Sequence, residues 1–258
     1  MVTERGAAQA PSDQSPVVYE AQHISKSFGA VVALRDINMR LHRGEVLGLV
    51  GDNGAGKSTL VKIISGIYQP DSGEFYFDGS PGTIRSPHEA RERGIATVYQ
   101  DLALCDNLDG AANLFLGREL THGLRIANAR MEQRAVELLE GLQIRLPSVH
   151  SPVASLSGGE RQSVAVARAV LSESARVVLL DEPTAALGVT QSKMVMDLIR
   201  TLREKGHGVV LISHDLAEVI GVADRIVVLR LGRNAAAFER GASSSAIVAA
   251  ITGAVALQ

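Results

Sequence analysis

The sequence predicts an α/β fold: a mostly parallel sheet covered by helices, with a small antiparallel layer and a helical insert. Three observations carry this. Short β-branched apolar runs alternate with helix-period patterns, the arrangement of parallel βαβ units. At 258 residues and 46% hydrophobic, the chain can bury a sizeable core, as one domain with an appended subdomain or as two small domains. The stretches that break the alternation do so consistently, residues 17–42 and 73–85 as strand and residues 101–154 as helix.

In chain order, the opening MVTERGAAQAPSDQSP has no apolar run and is rich in small and polar residues, so residues 1–16 are expected to be a disordered tail rather than a signal peptide. VVYEAQHISKSF and GEFYFDG, with turn residues around them, are expected to form the antiparallel layer. The parallel strands are expected at 45–51 (EVLGLVG), 94–100 (GIATVYQ), 177–182 (VVLLDE), 208–213 (GVVLIS) and 225–230 (RIVVLR). Within the insert, Ala135, Leu138, Leu139 and Leu142 follow a helical spacing and no strong strand interrupts. Val195, Leu198, Ile199 and Leu202 repeat the i, i+3, i+4, i+7 pattern up to Gly206, a helix stop. Leu216, Val219, Ile220 and Ala223 do so again after Asp215, a candidate N-cap. Residues 241–258 complete the chain as a helical segment.

Composition narrows the function. Twenty-six basic against twenty-eight acidic residues leave a net charge of −2, so no whole-protein field draws in nucleic acid or an anionic membrane. Cys105 is the only cysteine, which excludes an intrachain disulfide and fits a reducing compartment. The longest apolar run, Val209 to Leu231, is interrupted by His214, Asp215, Glu218, Asp224, Arg225 and Arg230, too often for a bilayer.

GDNGAGKST at 51–59 matches G-x-x-x-x-G-K-S/T between a strand and a helix, the context that motif requires. Gly51, Gly54 and Gly56 let backbone N–H groups of Asp52, Asn53, Ala55 and their neighbours turn inward around an oxyanion at a helix N-terminus. Lys57 would reach the β- and γ-phosphates, and Ser58, followed by Thr59, would offer a hydroxyl to Mg²⁺. VVLLDEP at 177–183 ends a buried strand in two acids: Asp181 where a Mg²⁺ ligand is expected, Glu182 where a general base could polarise water. A solvated pair of loop carboxylates is the plain alternative, and the phosphate loop argues against it.

Together with SLSGGERQ at 155–162 and ISHD at 212–215, in this chain order, these motifs resemble the nucleotide-binding domain of ABC ATPases over about residues 17–235. The resemblance implies a P-loop NTPase with a RecA-like core, a small antiparallel β subdomain and a helical ABC-specific subdomain at about 101–160, the whole spanning 17–240. It implies that Gln100 is the Q-loop glutamine, a Mg²⁺ contact, that His214 is the switch histidine, and that Phe28 stacks on adenine. LSGGERQ resembles the family signature, which closes on the γ-phosphate held by the phosphate loop of a second protomer. Ser157 would donate its hydroxyl, Gly158 and Gly159 would let backbone N–H groups approach, and a helix starting near Glu160 would point its positive end at the anion. One copy of each motif then demands a head-to-tail dimer, of this chain with itself or with a paralogue. After DEPT the family usually continues to a leucine-aspartate pair; here Gly188 takes the aspartate position.

GDNGAGKST with Asp52, GIATVYQDLALCDNLDGAANLFLGRE at 94–119 and SPHEARERGIA at 86–96 look like the ATP-binding subunits of bacterial simple-sugar importers, in a single-domain form similar to fructose or xylose subunits. This implies ATP and Mg²⁺ as cofactors, a transmembrane permease met through residues 101–119, a sugar-binding protein reached through the permease, no nucleic acid, and a cytoplasmic place on the inner face of the membrane. In that stretch Leu102, Leu104, Leu114, Phe115 and Leu116 fit either core or permease contact. The alternatives are an importer ATPase for another small solute and a non-transport ABC ATPase. A chromosome-maintenance factor would need long heptads between the loop and the signature, a translation factor would carry two domains per chain, and a small-molecule kinase gives no reason for SLSGGERQ.

Overall fold

The computed structural model describes residues 15–123, 125–172 and 174–254. Most of the tail expected over residues 1–16, and residues 255–258 of the C-terminal segment, lie outside the described residues. In chain order, β1 (Val17–Phe28) and β2 (Val31–His42) form a hairpin, and β3 (Val46–Gly51) leads into α1 (Lys57–Ile64). β4 (Ser72–Phe77), β5 (Ser80–Gly82), α2 (Pro87–Glu92) and β6 (Ile95–Val98) follow. The insert holds α3 (Gly110–Phe115), a two-residue ribbon of β7 (Thr121–His122) and β8 (Arg125–Ile126), and α4 (Asn128–Gly141). α5 (Gly158–Ala169), β9 (Val177–Asp181), α6 (Val189–Glu204), β10 (Gly208–Ile212), α7 (Leu216–Val222), β11 (Arg225–Arg230), β12 (Arg233–Glu239) and α8 (Ser244–Thr252) complete the chain. Among the described residues no helix is long and apolar enough to cross a membrane.

Six strands in the order β12-β11-β3-β10-β9-β6 make the main sheet, parallel except for β12, and β2-β1-β4-β5 make the antiparallel layer. Covered on both faces, β3, β9 and β10 are continuous apolar runs, as strands buried on two sides must be. Val98 pairs with Leu180, Asp181 with Ile212, and Ile212 with Leu49, so β6, β9, β10 and β3 end at one edge of the sheet. Ligands of open α/β sheets bind at that carboxyl edge. At the opposite edge a buried charge network ties strand starts together: Val46 N–H donates to Asp224 Oδ2 (2.9 Å), Arg203 Nη1 to Asp224 Oδ1 (3.1 Å), and Arg225 Nε to Glu45 Oε1 (2.9 Å).

Each predicted strand is present, although β6 stops at Val98, where its pairing with β9 ends, and leaves Gln100 two residues beyond it. The two helix patterns become α6 and α7. Asp215 caps α7 by accepting from Ala217 and Glu218 N–H, and Gly206 at φ +88 follows the end of α6. In residues 101–119 the apolar set divides. Leu114 and Phe115 are fully buried, each worth about 1.5–3 kcal/mol of burial. Leu102 and Leu104 are partly buried, and Leu116 is 40% exposed. The signature helix α5 begins at Gly158, two residues earlier than expected, because Ser157 and Glu160 form a reciprocal capping box.

Candidate nucleotide site

The loop between β3 and α1 can be built only with glycine at its bends. Gly51 (φ +154) would put a Cβ 2.3 Å from Leu229 O, and Gly56 (φ +105) would put one 2.6 Å from Leu34 Cδ2. Asn53 N–H is taken by Asp52 Oδ1 (2.7 Å) and Ala55 N–H by Asp52 O (3.1 Å). Among the described residues, no acceptor meets the N–H groups of Gly54, Gly56, Lys57, Ser58 or Thr59. Five unpaired donors within six residues, four of them consecutive at a helix N-terminus, suit an oxyanion. Lys57 Nζ lies over the same loop, donating to Gly51 O (2.6 Å) and Asp52 O (3.1 Å). Burial pulls its pKa down, against the opposing pull of Glu182, Asp52 and Asp181, and an anion here would add to that opposing pull.

The acids at the end of β9 face that lysine. Burial, then the neighbouring charge of Glu182, pushes the Asp181 pKa up, with Lys57 and Lys62 opposing. Glu182 is in the left-handed region (φ 52), and its N–H donates to Ile212 O at 2.9 Å. Its Oε2 lies 2.6 Å from His214 Nδ1 and accepts from His214 N–H at 3.3 Å. The Glu182 side chain is 20% exposed and that of His214 77%, so the carboxylate is shielded while the imidazole reaches outward. A carboxylate held by an imidazole can accept a proton from water, beside a loop whose N–H groups and lysine can stabilise a terminal phosphate.

The hard oxygen donors of Ser58, Asp181 and Gln100 fit Mg²⁺, and the burial-raised Asp181 gains from a cation beside it. Among the described residues no cluster of three or more His, Cys, Asp or Glu could hold a metal by itself, whereas Mg²⁺ needs only one or two protein oxygens beside waters and substrate phosphates.

Phe28, 43% exposed, is held edge-on by Tyr68 with ring centroids 5.2 Å apart, and Lys26 Nζ lies 5.5 Å from its centroid. Tyr68 escaped the sequence reading because no periodic pattern covers the stretch after α1. The phosphate loop, Asp181, Glu182 and His214 gather at one sheet edge, and Gln100 follows the neighbouring strand. Among the described residues no hydrogen bond or ion pair links Ser157, Gly158 and Gly159 to residues 51–59. α5 packs on α3, α6 and β6. Ser157 is exposed; its Oγ accepts Glu160 N–H (3.3 Å) and its own N–H donates to Glu160 Oε2 (2.7 Å), so its hydroxyl proton has no described acceptor. The space at the two glycines is also small: a Cβ on Gly158 would sit 2.7 Å from Leu187 Cδ2, a side-chain end that would have to shift, and one on Gly159 3.1 Å from Gln191 Cβ. Gly188 is different: a Cβ there would meet nothing within 4 Å.

The model of the family described as ABC transporter matches residues 34–185. The xylose/arabinose import ATP-binding protein XylG of Sulfolobus acidocaldarius is 49% identical over 214 residues, 83% of this chain and 85% of that protein. The fructose import ATP-binding protein FrcA of Rhizobium meliloti is 46% identical over 228 residues, 85% of this chain and 87% of that protein. Among solved structures, a dimeric post-hydrolysis state of the ATP-binding cassette MJ0796 bound to ADP and Pi superposes with a TM-score of 0.71 at 27% identity, covering 87% of this chain and 100% of that one.

Proposed function

The chain belongs to the ABC transporter family, and from that premise we propose that it is the ATP-hydrolysing subunit that energises import of a simple sugar through a membrane permease. The observation that carries the ATPase reading is the nest of unpaired N–H groups beside Lys57, at the same sheet edge as the Glu182–His214 pair. The sugar reading is supported by two relatives, named for import of xylose/arabinose and of fructose, that match over most of both lengths. Co-purification with the permease, followed by uptake assays across several monosaccharides, tests it; co-purification without uptake of any of them contradicts the sugar and leaves the ATPase.

In this reading Gly51 to Thr59 wrap the triphosphate, Lys57 reaches the β- and γ-phosphates, and Glu182 takes the proton of the attacking water while His214 holds it and contacts the γ-phosphate. Ser58, Asp181 and Gln100 hold Mg²⁺, which when bound neutralises phosphate charge. Ser157, Gly158 and Gly159 serve the nucleotide of a second copy, a reading supported by the lack, among the described residues, of any hydrogen bond or ion pair between them and residues 51–59, and by the dimeric assembly of the cassette MJ0796. The nucleotide-binding unit spans about 17–240, its helical part about 101–160, and it sits on the inner face of the membrane through the permease. A groove of about 650 Å³, lined by Arg91, Leu102, Leu116, Arg118 and Arg168, receives the permease and adjoins Gln100, so closure of the dimer is transmitted there.

Phe28→Ala removes the adenine platform. Base–aromatic stacking is worth about 1–3 kcal/mol, so ATP affinity, measured by equilibrium binding, falls by roughly 5- to 150-fold. Unchanged affinity would take Phe28 out of the site.

A further inference from the structure

The turn that follows β9 is strained at two non-glycine positions, Glu182 (φ 52) and Ala186 (φ 64), both left-handed. Such residues persist only where their surroundings over-determine them. Bonds within the turn, Ala185 N–H to Glu182 O (3.2 Å) and Leu187 N–H to Thr184 O (3.0 Å), close it on itself without aiming it. What aims it comes from α7 and the residues just before. His214 holds Glu182, and Glu218 Oε2 accepts the hydroxyl of Thr184 at 2.5 Å. Thr184, in the middle of the turn, is 8% exposed, and Glu218 is half-buried. Glu218 is itself fixed, because its own N–H donates to the capping Asp215 at 3.3 Å. The far end of the turn carries Leu187, against which Gly158 packs, and Gly188, whose N–H donates to Gln191 Oε1 at 3.3 Å.

We propose that Glu218 is a positioning residue for hydrolysis: by holding the Thr184 hydroxyl it fixes residues 182–187, aiming the Glu182 carboxylate at one end and seating Leu187 under the signature glycines at the other. The inference rests on the reading of Glu182 as general base. A carboxylate in the first turn of a helix also complements the helix dipole, and that role alone would stabilise α7 without touching turnover. Steady-state hydrolysis and equilibrium ATP binding by the full chain separate the two roles.

Glu218→Ala and Thr184→Val are each expected to lower kcat about tenfold or more, since small misplacements of a reacting group are costly, with KM and ATP affinity within about twofold. The double variant is expected to be no worse than either single one, because both break the same bond. Glu218→Gln keeps an oxygen to accept the hydroxyl and is expected to retain kcat within about threefold. Wild-type kcat in Glu218→Ala, equal impairment in Glu218→Gln and Glu218→Ala, or a loss confined to KM overturns the proposal. Should Glu218→Ala not fold, Thr184→Val decides by the same criteria. Glu182→Gln run beside them reports on the underlying reading: full turnover there removes the general base, a result distinct from any outcome at Thr184 or Glu218.

Discussion

Replacing Glu182 by glutamine is expected to slow ATP hydrolysis by on the order of 10² to 10⁴, the contribution of a positioned general base, while ATP binding is kept. The variant isolates the chemistry because little else changes. Glutamine has the same length and keeps an oxygen that can accept from His214 Nδ1, 2.6 Å from the present carboxylate, and the N–H bond to Ile212 O is backbone and unaffected. An amide cannot take a proton from water. With nucleotide held and unspent, the two protomers should stay closed, so the variant is expected to run as a dimer on size exclusion with ATP and as a monomer without it. Turnover at the wild-type rate would take Glu182 out of its role.

Ser157→Phe is expected to cut hydrolysis at least about a hundredfold, the usual loss when a donor to a reacting oxyanion is removed, and to abolish the ATP-dependent dimer. Ser157 is exposed, and among the described residues its hydroxyl bonds only within the capping box with Glu160, so a phenyl ring there needs no cavity in the core. It costs α5 its cap, about 0.5–2 kcal/mol, too little to unfold a domain of this size. Binding of ATP to the isolated chain, which in the proposed reading uses residues 51–59 and not 157, should match the wild type. Loss of binding together with hydrolysis would place the signature in its own chain's site, contrary to this account.

Much of this site was legible because its parts are local. β9 and β10 read as strands since both faces are buried, and the phosphate loop read as one since its glycines have fixed spacing. Gly158 and Gly159 are poor helix formers and push the expected start of α5 two residues late, although S-x-x-E at 157–160 is itself a capping-box pattern that marks the true start. Other features are set by contacts distant in sequence. Thr184 and Glu218 are 34 residues apart, and the Phe28–Tyr68 ring pair joins the small sheet to the segment after α1. The ribbon of β7 and β8 has two residues a side, too short to carry a period. Leu114 and Leu116 look equivalent as letters; only packing makes the first core and the second surface.

The claim on which the account turns is that one triphosphate is gripped by Lys57 of one protomer and Ser157 of its partner. Mixing tests it most directly. Prepare Lys57→Ala and Ser157→Phe, each in the Glu182→Gln background so that bound ATP is not consumed, and measure ATP retained in the dimer fraction for each alone and for the mixture. In a mixed dimer one site combines both lesions and the other combines the intact Lys57 with the intact Ser157, so the mixture is expected to trap about one ATP per mixed dimer while neither chain alone traps any. A mixture that retains no more than the separate chains, or a Ser157→Phe chain that traps ATP by itself, would contradict the shared grip.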